Sequence, residues 1–247
     1  MACPPGRGIS RVSTGATTLE LRILADADAV AREAARLIAA EARTAVAERG
    51  RFVLAVSGGR TPWRMLRALS REDLPWSGVH VVQVDERIAP AGDPDRNLPR
   101  LRESLLGHAP LPPEQIHAMP VEEADLDAGA RNYGRTLERI AGAPPVLDVA
   151  HLGLGSDGHT ASLVPNDPVL DVVDRPVALT GVYSGRRRMT LTYPVLNFSR
   201  RILWLVTGAE KAVMLRRLLA ADASIPAGRI RQEGALVLAD QAAAGRP

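Results

Sequence analysis

Four times along this 247-residue chain, a short apolar run passes directly into a polar stretch built on glycine or carboxylate. Phe52–Val56 runs into Ser57-Gly58-Gly59-Arg60-Thr61-Pro62, and residues 79–84 run into Asp85-Glu86-Arg87. Residues 146–154 end in Gly155-Ser156-Asp157-Gly158-His159, and residues 202–206 end in Thr207-Gly208. Between these runs the apolar residues fall at helical spacing, as with Val30, Ala34, Leu37, Ile38 and Ala45 behind a capping Asp26 or Asp28. Continuous apolar strands alternating with helices predict right-handed crossovers. The expected fold class is α/β: a doubly wound, mostly parallel sheet with helices on both faces. Ligands of such sheets bind beyond the carboxyl ends of the strands, where all four polar stretches fall.

Further strands are expected at 19–24, 177–182, 189–192 and 235–238, with further helices through Met65 to Leu69, over 124–140 and up to Leu219. No internal repeat or long linker divides the chain. The reading is one domain over residues 18–240, with a loose tail at 1–17 and a short one at 241–247. The start lacks an apolar signal core, and no run nears the ~18 apolar residues of a membrane-spanning helix. A cytoplasmic protein without membrane contact is therefore expected. Cys3 is the only cysteine, which leaves no internal disulfide and no thiolate metal cluster. A net charge of +3 and 3% aromatics argue against nucleic acid as a partner. One oddity stands out: of 31 basic residues, Lys211 alone is lysine.

Ser57-Gly58-Gly59-Arg60-Thr61-Pro62 has the parts of a phosphate cradle. Its glycines allow close backbone approach and positive φ. Pro62 would start a helix as its first residue, so that free amides and the helix dipole face an anion. It is not a Walker loop, since no Gly-Lys-Ser/Thr follows, and a plain tight turn could use the same residues. Asp85-Glu86-Arg87, with Asn97 ten residues on, can orient a sugar hydroxyl and meet a phosphate, or can form a structural ion pair. The stretch 153–158 has the spacing of a dinucleotide fingerprint, but it comes late, and Asp174 is at the wrong distance to serve as its acidic partner. Its Asp-Gly-His end instead sets an imidazole near a carboxylate, as a general base requires. Either Asp157 or Asp85 could orient His159 or a substrate hydroxyl. Lys211 opens the last long helix, where the dipole disfavours a cation by roughly 0.3–1 kcal/mol and an anionic ligand would reverse that penalty. Arg188, in the run Arg186-Arg187-Arg188, is a further anion contact or part of a solvated basic surface.

Taken in order, Ser-Gly-Gly-x-Thr-Pro, Asp-Glu-Arg, Gly-x-Gly-x-Asp-Gly-His-Thr-Ala-Ser-Leu and the late Thr-Gly-x-x-Lys-Ala resemble the 6-phosphogluconolactonase family. That family is itself similar to the glucosamine-6-phosphate deaminases, and the resemblance covers roughly residues 19–238. It implies a deaminase-like, Rossmann-related fold and a cytoplasmic carboxylic ester hydrolase of the pentose phosphate pathway, acting on a phosphorylated sugar lactone. It implies no cofactor and no metal; a monomer or weak homo-oligomer is expected. By motif match Gly58, Gly59, Arg87 and Lys211 fall on the family's phosphate and substrate contacts, and His159 on its catalytic histidine. The expected site thus joins His159 and Asp157 as catalytic residues to Ser57, Gly58, Gly59, Arg60, Thr61, Asp85, Arg87, Arg188 and Lys211 as substrate contacts. The chain departs from the family pattern at Val164, where phenylalanine is usual before Pro165, and at Arg96, where serine commonly precedes Asn97. A deaminase would carry an Asn-Glu pair after the histidine; here Thr160-Ala161-Ser162-Leu163 follows, with no carboxylate before Asp167. A sugar-phosphate sensor would need a DNA-binding helix-turn-helix, for which the short N-terminus has no room. A dinucleotide-dependent oxidoreductase is the remaining alternative.

Overall fold

The computed structural model describes residues 9–14 and 17–245. Strands β1 (Ile9–Thr14) and β2 (Thr17–Leu24) pair antiparallel and lead into the long helix α1 (Ala27–Arg49). Asp26 is the residue that caps α1, accepting the Ala29 N–H at 2.7 Å, while Asp28 lies in the first turn; such a cap contributes about 1 kcal/mol. Then come β3 (Phe52–Val56), α2 (Arg60–Leu69), β4 (Val79–Gln83), β5 (Asp85–Arg87), α3 (Asn97–Leu101), β6 (Ile116–His117) and α4 (Leu126–Ala141). The second half holds β7 (Val149–Gly153), β8 (Val177–Leu179), β9 (Arg188–Leu191), α5 (Tyr193–Phe198), β10 (Arg201–Val206), α6 (Ala212–Leu219) and β11 (Leu236–Asp240).

The main sheet has the order β1-β2-β11-β10-β7-β3-β4-β6, parallel throughout except for β1. Successive side chains leave a strand on opposite faces, and both faces here are apolar. From β3, Phe52, Leu54 and Val56 pack with α1, α2 and α3, while Val53 and Ala55 pack with α4, α5 and α6 on the other side. Strand β10 repeats the pattern, with Leu203 and Leu205 on one face and Ile202, Trp204 and Val206 on the other. This is the doubly wound arrangement expected. The chain leaves β3 toward the α1–α2 face and re-enters the sheet at β7 on the other side of β3. The boundary between β3 and β7 is therefore the topological switch point, where a crevice opens at the carboxyl ends.

Three features depart from the sequence reading. Ile9–Thr14, placed in the loose tail, is a strand on the edge of the main sheet; residues 1–8 lie outside the described residues. At the other terminus Ala243 is buried and its N–H donates to Asp240 Oδ1 at 2.7 Å, so the sheet-side packing continues past residue 240. Asp85–Arg87 does not merely end the third strand. It pairs antiparallel with β9 in a second sheet, β5-β9-β8, standing over the crevice. Among the described residues no helix is long and apolar enough to cross a membrane.

Candidate active site

At the carboxyl ends of β3, β7 and β10 lies a cavity of about 310 Å³. Its walls include Ser57, Gly58, Gly59, Arg60, Thr61, Asp85, Arg87, His159, Arg188 and Lys211. Every substrate contact expected from sequence is among them, and of the expected site only Asp157 stands back, behind the histidine it touches.

The loop after β3 is fastened from three sides. Gly58 backs onto Asn97, and a Cβ there would collide with the Asn97 amide. Asn97 in turn is held by both ends of β5, donating from Nδ2 to the Asp85 carbonyl at 3.0 Å and accepting from Arg87 Nη1 at 2.6 Å. From beneath, the Ser57 N–H donates to Nδ1 of His151 on β7 at 3.2 Å. Burial pushes that imidazole down to about 3, so it stays neutral and keeps its acceptor lone pair. On the third side the Thr61 and Thr207 hydroxyls share a hydrogen bond of 2.6 Å, which ties this loop to the one after β10. Gly59 is the residue before α2, so Pro62 is the third helical residue rather than the first. The correction leaves the amide argument intact, because a first-turn N–H has no intrahelical partner in any case.

Arg87 is held by neutral acceptors, the Asp95 carbonyl at 3.0 Å and the Asn97 amide oxygen. Its charge is left for the cavity. The carboxylate beside it, Glu86, is fully buried and serves the scaffold: it accepts the N–H groups of Arg87, Asn97 and Leu98 and the Gln83 amide, all within 2.8 Å. Arg96, one of the departures from the family pattern, lies behind this wall at 3% exposure, 3.9 Å from Glu86 and paired with Glu122. Val164, the other, is buried in the core. Arg188 is only 7% exposed; among the described residues its Nε has no partner, and the one hydrogen bond of its guanidinium, from Nη1 to Ser162 Oγ, is long at 3.4 Å. Burial and the neighbouring Arg87 charge disfavour the cation and lower its pKa. A buried guanidinium with spare donors is suited to a phosphate or carboxylate. Lys211 sits at the mouth of the short turn before α6 and lines the same wall as Thr207.

The structure separates the two aspartates that sequence left open. Asp85 is buried and accepts the Ser162 hydroxyl at 2.7 Å. Asp157 is the one at the imidazole, with Oδ1 2.6 Å from His159 Nδ1. Gly155 makes room for this contact, since a Cβ there would overlap the His159 ring. The hydrogen bond from His159, aided by the Tyr183 hydroxyl, holds the Asp157 carboxyl well below the usual carboxylate range against the opposing effect of its partial burial. An ionised carboxylate only accepts, so Nδ1 carries the proton and the Nε2 lone pair is left for the cavity. Sequence reasoning missed Tyr183, whose hydroxyl donates to Asp157 Oδ2 at 2.8 Å. The available signal was the Ser184-Gly185 pair behind it, a turn dipeptide between two strands.

A parallel-sheet crevice holding several cations and one carboxylate-bound imidazole defines a site for an anionic substrate and a proton transfer. The family model described as glucosamine-6-phosphate isomerases/6-phosphogluconolactonase matches residues 25–238. The 6-phosphogluconolactonase of Synechocystis is 40% identical over 207 residues, which cover 81% of this chain and 86% of that one. The solved 6-phosphogluconolactonase of Trypanosoma brucei superposes with a TM-score of 0.82 at 25% identity, over 94% of this chain and 99% of that one. A monomeric glucosamine-6-phosphate deaminase superposes with a TM-score of 0.80 at 21% identity, over 92% and 99% of the two chains, a likeness of fold alone. The chain belongs to the glucosamine-6-phosphate isomerase/6-phosphogluconolactonase family.

Proposed function

We propose that this chain is a 6-phosphogluconolactonase, hydrolysing 6-phospho-D-glucono-1,5-lactone to 6-phospho-D-gluconate in the cytoplasm. The observation that carries the mechanism is the His159 imidazole, tied at Nδ1 by Asp157 and open at Nε2, in one cavity with Arg87, Arg188 and Lys211. The substrate phosphate is received by the amides of residues 58–61 together with Arg87 and Lys211, and Arg188 adds its spare donors. Nε2 of His159 removes a proton from water as the water oxygen bonds to C1. The carbonyl π electrons move to oxygen, giving a tetrahedral intermediate and an imidazolium that Asp157 stabilises. Collapse re-forms the carbonyl and breaks the bond from C1 to the ring oxygen, which takes the proton back from Nε2. The free base is thereby restored, and the product acid ionises in solution. General-base assistance of this kind contributes roughly 10²–10⁴-fold. We read the working form as a monomer or weak homo-oligomer with no nucleic-acid partner.

The test generates the lactone in situ and follows its disappearance with and without the protein, subtracting spontaneous hydrolysis. Disappearance well above background supports the reading, and a rate equal to background contradicts it. Glucosamine-6-phosphate offered in parallel should release no ammonia, because Thr160-Ala161-Ser162 stands where a deaminase carries its acid.

A further inference from the structure

Tyr183 lies at the tip of the β8–β9 hairpin, in a segment absent from the sequence-level site. Ser184 (φ +50°) and Gly185 (φ +77°) form its two-residue turn, closed by reciprocal backbone hydrogen bonds between Tyr183 and Arg186 of 2.9 and 3.3 Å. Positive φ at both turn positions matches the twist of a two-residue hairpin, which fixes where the flanking side chains point. The tip is clamped from outside, because Arg186 bridges Asp93 at 2.9 Å and Asp95 at 3.0 Å on the loop that also supplies the Arg87 carbonyl contact. From the other flank the Arg188 guanidinium lies 4.9 Å from the Tyr183 ring centre, a cation–π distance. So fixed, Tyr183 turns its ring edge toward His159, with centroids 5.4 Å apart, and its hydroxyl toward Asp157 Oδ2.

We propose that Tyr183 is a positioning residue for the hydrolysis, holding one oxygen of Asp157 so that the other fixes the His159 imidazole with Nε2 free. The proposal rests on the assignment of His159 as the base. An ionised carboxylate at a loop tip has two equivalent oxygens and freedom to rotate about its terminal bond. With Oδ2 occupied by a donor on a separate strand pair, only Oδ1 remains for Nδ1, and the ring plane follows. Partial burial and the hydrogen bond to Asp157 both raise the tyrosine pKa, so its hydroxyl stays protonated and remains a donor around neutral pH. The hydroxyl also disperses the charge of Asp157 and so tempers the carboxylate's pull on the imidazolium. The other charged groups sharing this cleft are Arg60, Asp85, Arg87, Arg188, Glu210 and Lys211.

The experiment compares Tyr183→Phe, Tyr183→Ala and His159→Ala in the lactone assay across pH. Tyr183→Phe should lower kcat by roughly tenfold, within the ~10²-fold that a misplaced catalytic group can cost, with KM inside a factor of two. The acid limb of its kcat/KM profile should move to higher pH, since Asp157 then acts on the imidazolium with undispersed charge. Tyr183→Ala should lose no less. A Tyr183→Phe enzyme with wild-type kcat and an unmoved acid limb overturns the proposal, whether or not Tyr183→Ala is impaired, because ring packing would then be the whole contribution. If His159→Ala collapses while Tyr183→Phe is unaffected, only the tyrosine assignment falls. If His159→Ala turns over normally, the base assignment falls and takes this proposal with it.

Discussion

At the Ser57–Thr61 end of the cleft the chain offers donors: backbone amides, Lys211 and the two guanidiniums of Arg87 and Arg188. At the His159 end it offers an acceptor, one imidazole nitrogen whose opposite side is occupied by a carboxylate. The two ends are held by different means. The donor end is stiffened by groups that never change charge, such as the Asn97 amide, the neutral His151 ring and the Thr61–Thr207 pair. The acceptor end is stiffened by groups that feel each proton transferred, Asp157 and Tyr183. A site divided in this way separates binding from chemistry: damage at the donor end should appear in KM, and damage at the acceptor end in kcat.

The largest expected effect is at the acceptor end. His159→Ala should lose roughly 10²–10⁴-fold in kcat while KM stays within a factor of two, measured on in situ lactone; an unimpaired kcat would dissolve the distinction between the ends. Next, Lys211→Met should raise KM by roughly ten- to a hundredfold with kcat little changed, since a hydrogen bond to a charged group contributes roughly 1.5–3 kcal/mol. A KM at the wild-type value would remove the lysine from the phosphate. The smallest effect concerns the scaffold under the donor end. The folded-state pKa of His151 lies at about 3, below its unfolded value, so the native state resists protonation. Its contribution to stability is complete above pH ~6.5 and is lost as pH falls below it, at up to about 1.4 kcal/mol per pH unit. Urea midpoints between pH 7 and 5.5 should therefore fall by about 1 kcal/mol of stability more in the wild type than in His151→Gln. Parallel declines in the two proteins would show that His151 is not the group responsible.

The comparison also marks what could be read from sequence. The β3, β7 and β10 runs are apolar on both faces, so their burial in a parallel sheet was legible. The rule that ligands sit beyond carboxyl ends then picked out the loops that meet. What stayed hidden depends on partners far along the chain. Asp85–Arg87 contains two carboxylates and an arginine in three residues and reads as a loop; it becomes a strand only because Thr190, Met189 and Arg188 lie opposite. The choice between Asp157 and Asp85 turned on which carboxylate Ser162 occupies. Arg96, a departure from the family pattern whose place sequence does not reveal, lies behind the substrate wall, against the buried Glu86 carboxylate. Tyr183 carries no signal of its own, and only its turn does.

The central claim is that both ends of the cleft act on one molecule. A crystal structure of the protein with 6-phosphogluconate tests it most directly. The account predicts the phosphate on the amides of residues 58–61 with Lys211 and Arg87, and the C1 carboxylate within hydrogen-bond reach of His159 Nε2. A product bound with its phosphate elsewhere, or with C1 turned away from His159, would contradict it.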